Sequence, residues 1–198
     1  MISKLRIGVL VIILNFFASV ATTWGQVENP SLLQMAVPSL NIAPDARGGG
    51  MGDMGAATLP DINSQYWNAA KYAFMGSKAG VSLSYTPWLR KLVNDVALVN
   101  MTGYYKLGNS DLQAISASLR YFSLGEVNIW ENIGDVPYGL NPYEMAFDVA
   151  YSRKLSESYS MAVTLRYIRS DMGTDQNEES NAGNAFSADI SGYLEKYV

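Results

Sequence analysis

The chain has 198 residues, with 14 Lys and Arg against 18 Asp and Glu, and neither His nor Cys. Those absences exclude a Ser-His-Asp triad, a Cys nucleophile, a zinc site of imidazole or thiolate, and a disulfide framework. Charged residues are 16% of the chain, below the usual quarter, and no Lys/Arg run reaches a nucleic-acid footprint; 13 Tyr and 17 Gly point instead to β-structure at an interface.

Residues 1–25 read as a secretory signal peptide. Lys4 and Arg6 form a positive start, residues 7–20 are apolar apart from Gly8, Asn15 and Ser19, and small residues follow. Cleavage is expected after Ala21 or Gly25. A transmembrane anchor fits less well, because the run falls short of about 20 clean apolar residues and Asn15 interrupts it. Export without cysteine implies a fold held by something other than disulfides. Nothing later in the chain resembles an apolar membrane helix, whereas a β-barrel needs only alternate apolar residues.

Residues 26–76 read as a separate plug or hatch segment. Gly48, Gly49, Gly50, Gly52 and Gly55 crowd its middle. Their spacing is not that of a phosphate-binding loop, and no βαβ strand precedes them. Glycines here allow sharp turns and close packing in a confined space. Residues 63–74 read as a short helix, with Asn63 or Ser64 as N-cap.

From residue 77 the pattern has period two. Val81, Leu83 and Tyr85 alternate with Ser82, Ser84 and Thr86, and Val99, Met101 and Tyr105 with Asn100, Thr102 and Tyr104. Residues 115–121, 145–152 and 159–169 alternate likewise, and 186–193 more weakly. About six strands with one apolar and one polar face are predicted. Arg120, Asp148 and Arg166 lie on the polar faces, where a barrel has a hydrated lumen and a soluble sandwich its outer surface. Residues 107–111 and 154–158 read as short turns, while 123–142 and 170–184 are long connections, the rhythm of an outer-membrane barrel. Tyr85, Tyr104, Tyr105, Tyr121, Tyr151, Tyr159 and Tyr167 fall near strand ends, as in aromatic girdles.

The stretches Arg47-Gly-Gly-Gly-Met-Gly-Asp-Met-Gly-Ala-Ala-Thr and Pro60-Asp-Ile-Asn-Ser-Gln-Tyr-Trp-Asn-Ala-Ala-Lys-Tyr-Ala-Phe carry a resemblance. So do Val81-Ser-Leu-Ser-Tyr-Thr-Pro-Trp-Leu-Arg-Lys-Leu-Val-Asn-Asp, Gly103-Tyr-Tyr-Lys-Leu, Gln113-Ala-Ile-Ser-Ala-Ser-Leu-Arg-Tyr-Phe-Ser-Leu-Gly-Glu and Asp189-Ile-Ser-Gly-Tyr. From about Ala36 onward the chain resembles the N-terminal part of the PorV family, FadL-like outer-membrane barrels of the Bacteroidetes type IX secretion system. One departure is Asn68-Ala69-Ala70, where related barrels often have Asn-Pro-Ala; without that Pro the plug helix is free to run longer.

The resemblance implies an all-β fold, a transmembrane antiparallel barrel of which this chain holds the N-terminal strands. Around eight strands is the smallest usual number for closure. About six therefore predict an open, curved sheet with a free edge on each side, and a longer protein. It further implies a non-enzymatic shuttle without cofactors. Such a shuttle binds secreted cargo by a C-terminal signal domain and meets translocon and sortase-like subunits and outer-membrane lipopolysaccharide. No nucleic-acid partner is implied.

Trp130, Tyr138 and Tyr143 are candidate cargo contacts in the outer loops, since exposed aromatics anchor interfaces; equally, their rings fit a place on the membrane surface. Trp88, Arg90 and Lys91 are candidate rim or lipid contacts, or an ordinary strand end with two solvated cations. Two rival functions remain. A transporter of hydrophobic small molecules would need a continuous apolar pocket between plug and wall. An enzyme such as a lipid deacylase would lack the usual base for a Ser nucleophile.

Overall fold

Alternation sets the strands, and the strands set everything else. The computed structural model describes residues 37–88, 95–108, 111–129, 138–173 and 182–195. The predicted signal peptide and the first part of the predicted plug segment lie outside them. A first 3-10 helix, η1 (Pro38–Asn41), is followed by α1 (Ala46–Gly50), α2 (Ser64–Trp67) and a second 3-10 helix, η2 (Ala69–Phe74). Then come β1 (Ala79–Pro87), β2 (Val96–Leu107), β3 (Gln113–Leu124), β4 (Val127–Ile129), β5 (Tyr138–Leu140), β6 (Tyr143–Lys154), β7 (Tyr159–Asp171) and β8 (Gly183–Leu194).

The predicted alternating segments become one antiparallel sheet in the order β1-β2-β3-β6-β7-β8. It is open, with β1 and β8 at its edges, as six strands require. The short pair β4–β5 forms a separate two-stranded ribbon within the long connection 123–142. Three residues per strand are too few to announce themselves by periodicity. Among the described residues no helix is long and apolar enough to cross a membrane.

The register lines up rows across the sheet. Leu83, Met101, Leu119, Phe147, Tyr167 and Phe186 form one row, and Val81, Gly103, Ala117, Val149, Leu165 and Ala188 the next. These apolar rows are bare: Leu83 is 71% exposed and Phe186 82%. The opposite face is polar and buried, including Asn100, Thr102, Ser116, Ser118, Arg120, Glu144, Asp148, Ser160 and Thr164. The usual relation of hydrophobicity to depth is therefore inverted.

The buried face is covered by residues 37–75, whose η2 packs against β2, β3, β6, β7 and β8. Ala69, Ala70 and Tyr72 of η2 meet Tyr104, Ala114, Ala150, Ala162 and Tyr193 in a small apolar core. Small wall residues let the η2 backbone approach closely. This core lies at the end of the sheet with the short turns, hereafter the turn end. There Gly108, at φ +72°, supplies the left-handed residue that leads out of β2. The end carrying the longer connections is the loop end.

Two expectations change. Residues 63–74 are not one helix but α2 and η2, broken at Asn68, whose backbone is extended at φ −166°. The Asn68 side chain accepts a hydrogen bond from Ala70 N–H at 3.0 Å, an N-cap that restarts the chain as η2. Absence of proline at residue 69 therefore does not lengthen the helix. Asn63 holds the N-cap position of α2 without a capping bond from its side chain. Tyr104 is the second change: it is buried on the inner face against Tyr72, not a ring at the outer margin.

Candidate functional site

The inner face is where chemistry-bearing groups converge. Asp148, on β6, accepts from Ser118 Oγ on β3 at 3.0 Å and from Arg166 Nε on β7 at 2.6 Å. Arg166 Nη1 also lies 3.7 Å from Asp189 Oδ2 on β8. A polar ladder thus crosses four strands. Ser118, Asp148 and Arg166 are register partners, so the strand period alone aims them at one another.

Nearer the loop end, the wall grips the N-terminal segment by its main chain. Glu144 Oε2 accepts from Ser39 N–H at 3.0 Å. Arg120 Nη1 donates to Ser39 O at 2.7 Å and to Ile42 O at 3.0 Å. The guanidinium also stands 4.4 Å from the Tyr66 ring centroid, and Tyr66 OH donates to Leu40 O at 2.9 Å. Ser84 Oγ donates to Pro44 O.

Towards the turn end a second group holds α2 and η2. Tyr72 OH donates to Ile62 O at 2.8 Å and accepts from Gln65 N–H at 2.9 Å. Ser116 Oγ donates to Gln65 Oε1, and Ser160 Oγ to Ala70 O at 2.7 Å. Lys71 is fully buried, and its Nζ donates to Gly55 O at 2.8 Å and Thr58 Oγ1 at 3.1 Å. Burial pulls the Lys71 ammonium below its ordinary range and pushes the Tyr72 phenol well above its own.

The five glycines of the segment have different surroundings. A Cβ on Gly55 would stand 2.2 Å from Trp67 Cδ2, and one on Gly48 2.8 Å from Trp67 Cζ2. The Trp67 indole lies against bare backbone at both. Gly52 takes φ +73°, whereas Gly49 and Gly50 have open space where a Cβ would go. Asp45 caps α1 by accepting from Gly48 N–H at 2.9 Å, and Arg47 pairs with Asp61 at 2.8 Å.

The loop-region candidates are not brought together. Tyr143 lies on the outer face, stacked on Tyr121 with ring centroids 5.5 Å apart. Trp88 is 40% exposed beside a cavity of about 410 Å³ that Asp45, Asp53 and Thr86 also line. β2 and β3 stand between the strands that lead to these two residues. Tyr138 pairs with Ile129 through its backbone in β5. Trp130, Arg90 and Lys91 lie outside the described residues. Sequence reasoning did not single out Glu144, Ser84, Tyr66 or Lys71. Glu144 and Ser84 carry the signal of even-numbered polar positions on their strands; Tyr66 and Lys71 carry none.

A sheet with a bare apolar side, and a polar side filled by the preceding segment of its own chain, defines an inside-out β-protein. The family model for the type IX secretion system protein PorV matches residues 26–197, and the chain belongs to that family. It is thus a secretion-system protein from a family of components rather than of enzymes, and membership implies an envelope or outer-membrane location. No curated protein matches the chain.

Proposed function

We propose that these strands form part of a transmembrane β-barrel in the outer membrane, with residues 26–76 as its internal plug behind a cleaved signal peptide. In this reading the protein is a shuttle of type IX secretion. It binds exported cargo by a C-terminal signal domain at the loop end, then delivers it to the surface attachment complex. Translocon and sortase-like subunits and lipopolysaccharide are its further partners.

The observation that carries this reading is the inverted burial. Bare Val, Leu, Ile and Phe rows are costly in water and favourable against hydrocarbon, while the buried polar face suits a hydrated interior. Tyr85 and Tyr121 flank the apolar rows towards the loop end, and Tyr105 and Tyr151 towards the turn end. The six residue steps between these margins span about 20 Å, comparable with the apolar band of an outer-membrane barrel. The aromatic residues Trp88, Trp130, Tyr138 and Tyr143, with Arg90 and Lys91, are proposed as cargo, rim or lipid contacts.

A transporter of apolar molecules is less well supported. At the loop end the segment is held to the wall by hydrogen bonds of Arg120, Glu144 and Ser84, and the inner-face apolar residues there, Leu98 and Phe122, are already buried. The apolar cavity, of about 490 Å³ and centred on Gly103 and Ala117, opens on the outer face instead. Fractionation of cells carrying the full-length protein, followed by affinity capture, tests the proposal. It should appear in outer membranes, resist extraction without detergent, and carry secreted proteins and a sortase-like subunit with it. Recovery as a dissolved periplasmic protein would refute the barrel, and capture of fatty acid alone would favour transport.

A further inference from the structure

We propose that Arg120, Glu144 and Ser84 form a site that reads the main chain of a short peptide turn. The chain's own residues 38–44 occupy it in this structure, and a turn from another polypeptide can take their place. Glu144, Arg120, Tyr66 and Ser84 hold this segment by its backbone, through Ser39 N–H and the carbonyls of Ser39, Leu40, Ile42 and Pro44. Ser39 and Pro44 are buried, Pro38 and Asn41 are exposed, and Leu40, Ile42 and Ala43 are only half-buried. Such a seat selects a backbone shape with small side chains at its two buried positions, and reads little of the apolar side chains at residues 40, 42 and 43.

The seat is also underfilled. Glu144 is 0% exposed and Arg120 4%, yet Glu144 Oε1 and Arg120 Nη2 have no hydrogen-bond partner among the described residues. No ion pair joins the two among the described residues. Each buried group left without a partner is costly, so a ligand that reaches this carboxyl oxygen and guanidinium nitrogen gains by pairing them. The spare acceptor and spare donor match one more N–H and one more C=O, the groups a longer peptide turn supplies. The ligand class is therefore a polypeptide turn that offers main-chain donors and acceptors to both charges. The secretion reading enters only in identifying the competing turn as one from exported cargo arriving at the loop end.

These 198 residues contain no cysteine, so in the full-length protein, with any cysteine elsewhere replaced by serine, a nitroxide on Ala43→Cys reports the seat alone. The probe is a synthetic peptide of residues 37–44. It is added above the roughly millimolar effective concentration of a tethered segment. The expected result is conversion of the immobile spectrum to a mobile one. A peptide N-methylated at the amide of Ser39 should need at least about tenfold more for the same effect. One with Leu40, Asn41 and Ile42 replaced by Ala should work within about threefold. An unchanged spectrum, or displacement indifferent to N-methylation, or dependence on the three side chains, would each overturn the proposal. A variant lacking residues 37–44 gives a direct measurement: labelled peptide should bind it saturably, and weaken at least about tenfold on Glu144→Ala. If the peptide fails while the protein still enters outer membranes and captures secreted proteins, only this inference falls.

Discussion

The Tyr72 ring lies on the Tyr104 ring, centroids 4.8 Å apart and planes 19° from parallel. This stack joins η2 to β2 at the turn end. The Tyr72 hydroxyl at the same time bridges Ile62 O and Gln65 N–H, so one side chain fixes both halves of the broken helix.

Tyr72→Phe should keep the stack and lose the bridge, lowering stability by about 1–3 kcal/mol through two buried groups left unpaired. Burial raises the folded phenol above its ordinary value, whereas the unfolded phenol titrates near pH 10. The folded protein thus holds this proton where the unfolded chain releases it. Its contribution is complete below about pH 10 and declines as pH rises beyond that. Unfolding midpoints of detergent-solubilised protein, followed from about pH 8 to 11, should fall more steeply for the native chain than for the variant.

Asp148→Asn should cost about 1–3 kcal/mol, because Arg166 loses its 2.6 Å partner and Ser118 its charged acceptor. Adding Arg166→Gln should restore part of that loss, since the neutral amide at residue 148 then faces no cation; in the single variant the remaining partner of Arg166 is the more distant Asp189. Chemical denaturation of the two single variants and the double variant measures the coupling; strict additivity would contradict the ladder.

Gly55→Ala should be disruptive. Its Cβ would fall 2.2 Å from Trp67 Cδ2, so the indole or the backbone must move, at about 1–3 kcal/mol. Gly49→Ala, with nothing within 4 Å, should be neutral or stabilise α1 slightly. Thermal unfolding of the two proteins distinguishes them.

Val149→Arg tests the medium on the outer face. Val149 is 45% exposed, and in water a substitution there should stay within about 0.5 kcal/mol. Against hydrocarbon near mid-depth it should cost about 2–4 kcal/mol and reduce the amount of inserted protein. Ser158→Arg, in the exposed turn between β6 and β7, serves as the control without effect.

The strands were legible because Ser, Thr, Asn, Arg and Asp recur at every second residue opposite Val, Leu, Ile and Tyr. That pattern placed Arg120, Asp148 and Arg166 on the polar face, but it said nothing of who would meet them. The partners of Arg120 are carbonyls of residues 39 and 42, and a carbonyl leaves no trace in sequence. Tyr104 shows the same limit: parity put it on the polar face, its type suggested a margin, and the deciding contact came from Tyr72. The break at Asn68 depends on one side chain choosing the amide of Ala70. The loop-end candidates were chosen by residue type alone, with no periodicity to locate them.

Asn68 Nδ2 also donates to Gly192 O at 3.0 Å, a bond between residues 124 positions apart, and Ser39 meets Glu144 across 105. The segment can therefore be fastened at Ser39 only after β6 is in place, and at Asn68 only after β8 has joined the sheet. Closing so large a span is entropically slow. Until then Asn68 lacks its far partner, and the restart of the chain at η2 has only its local cap to hold it.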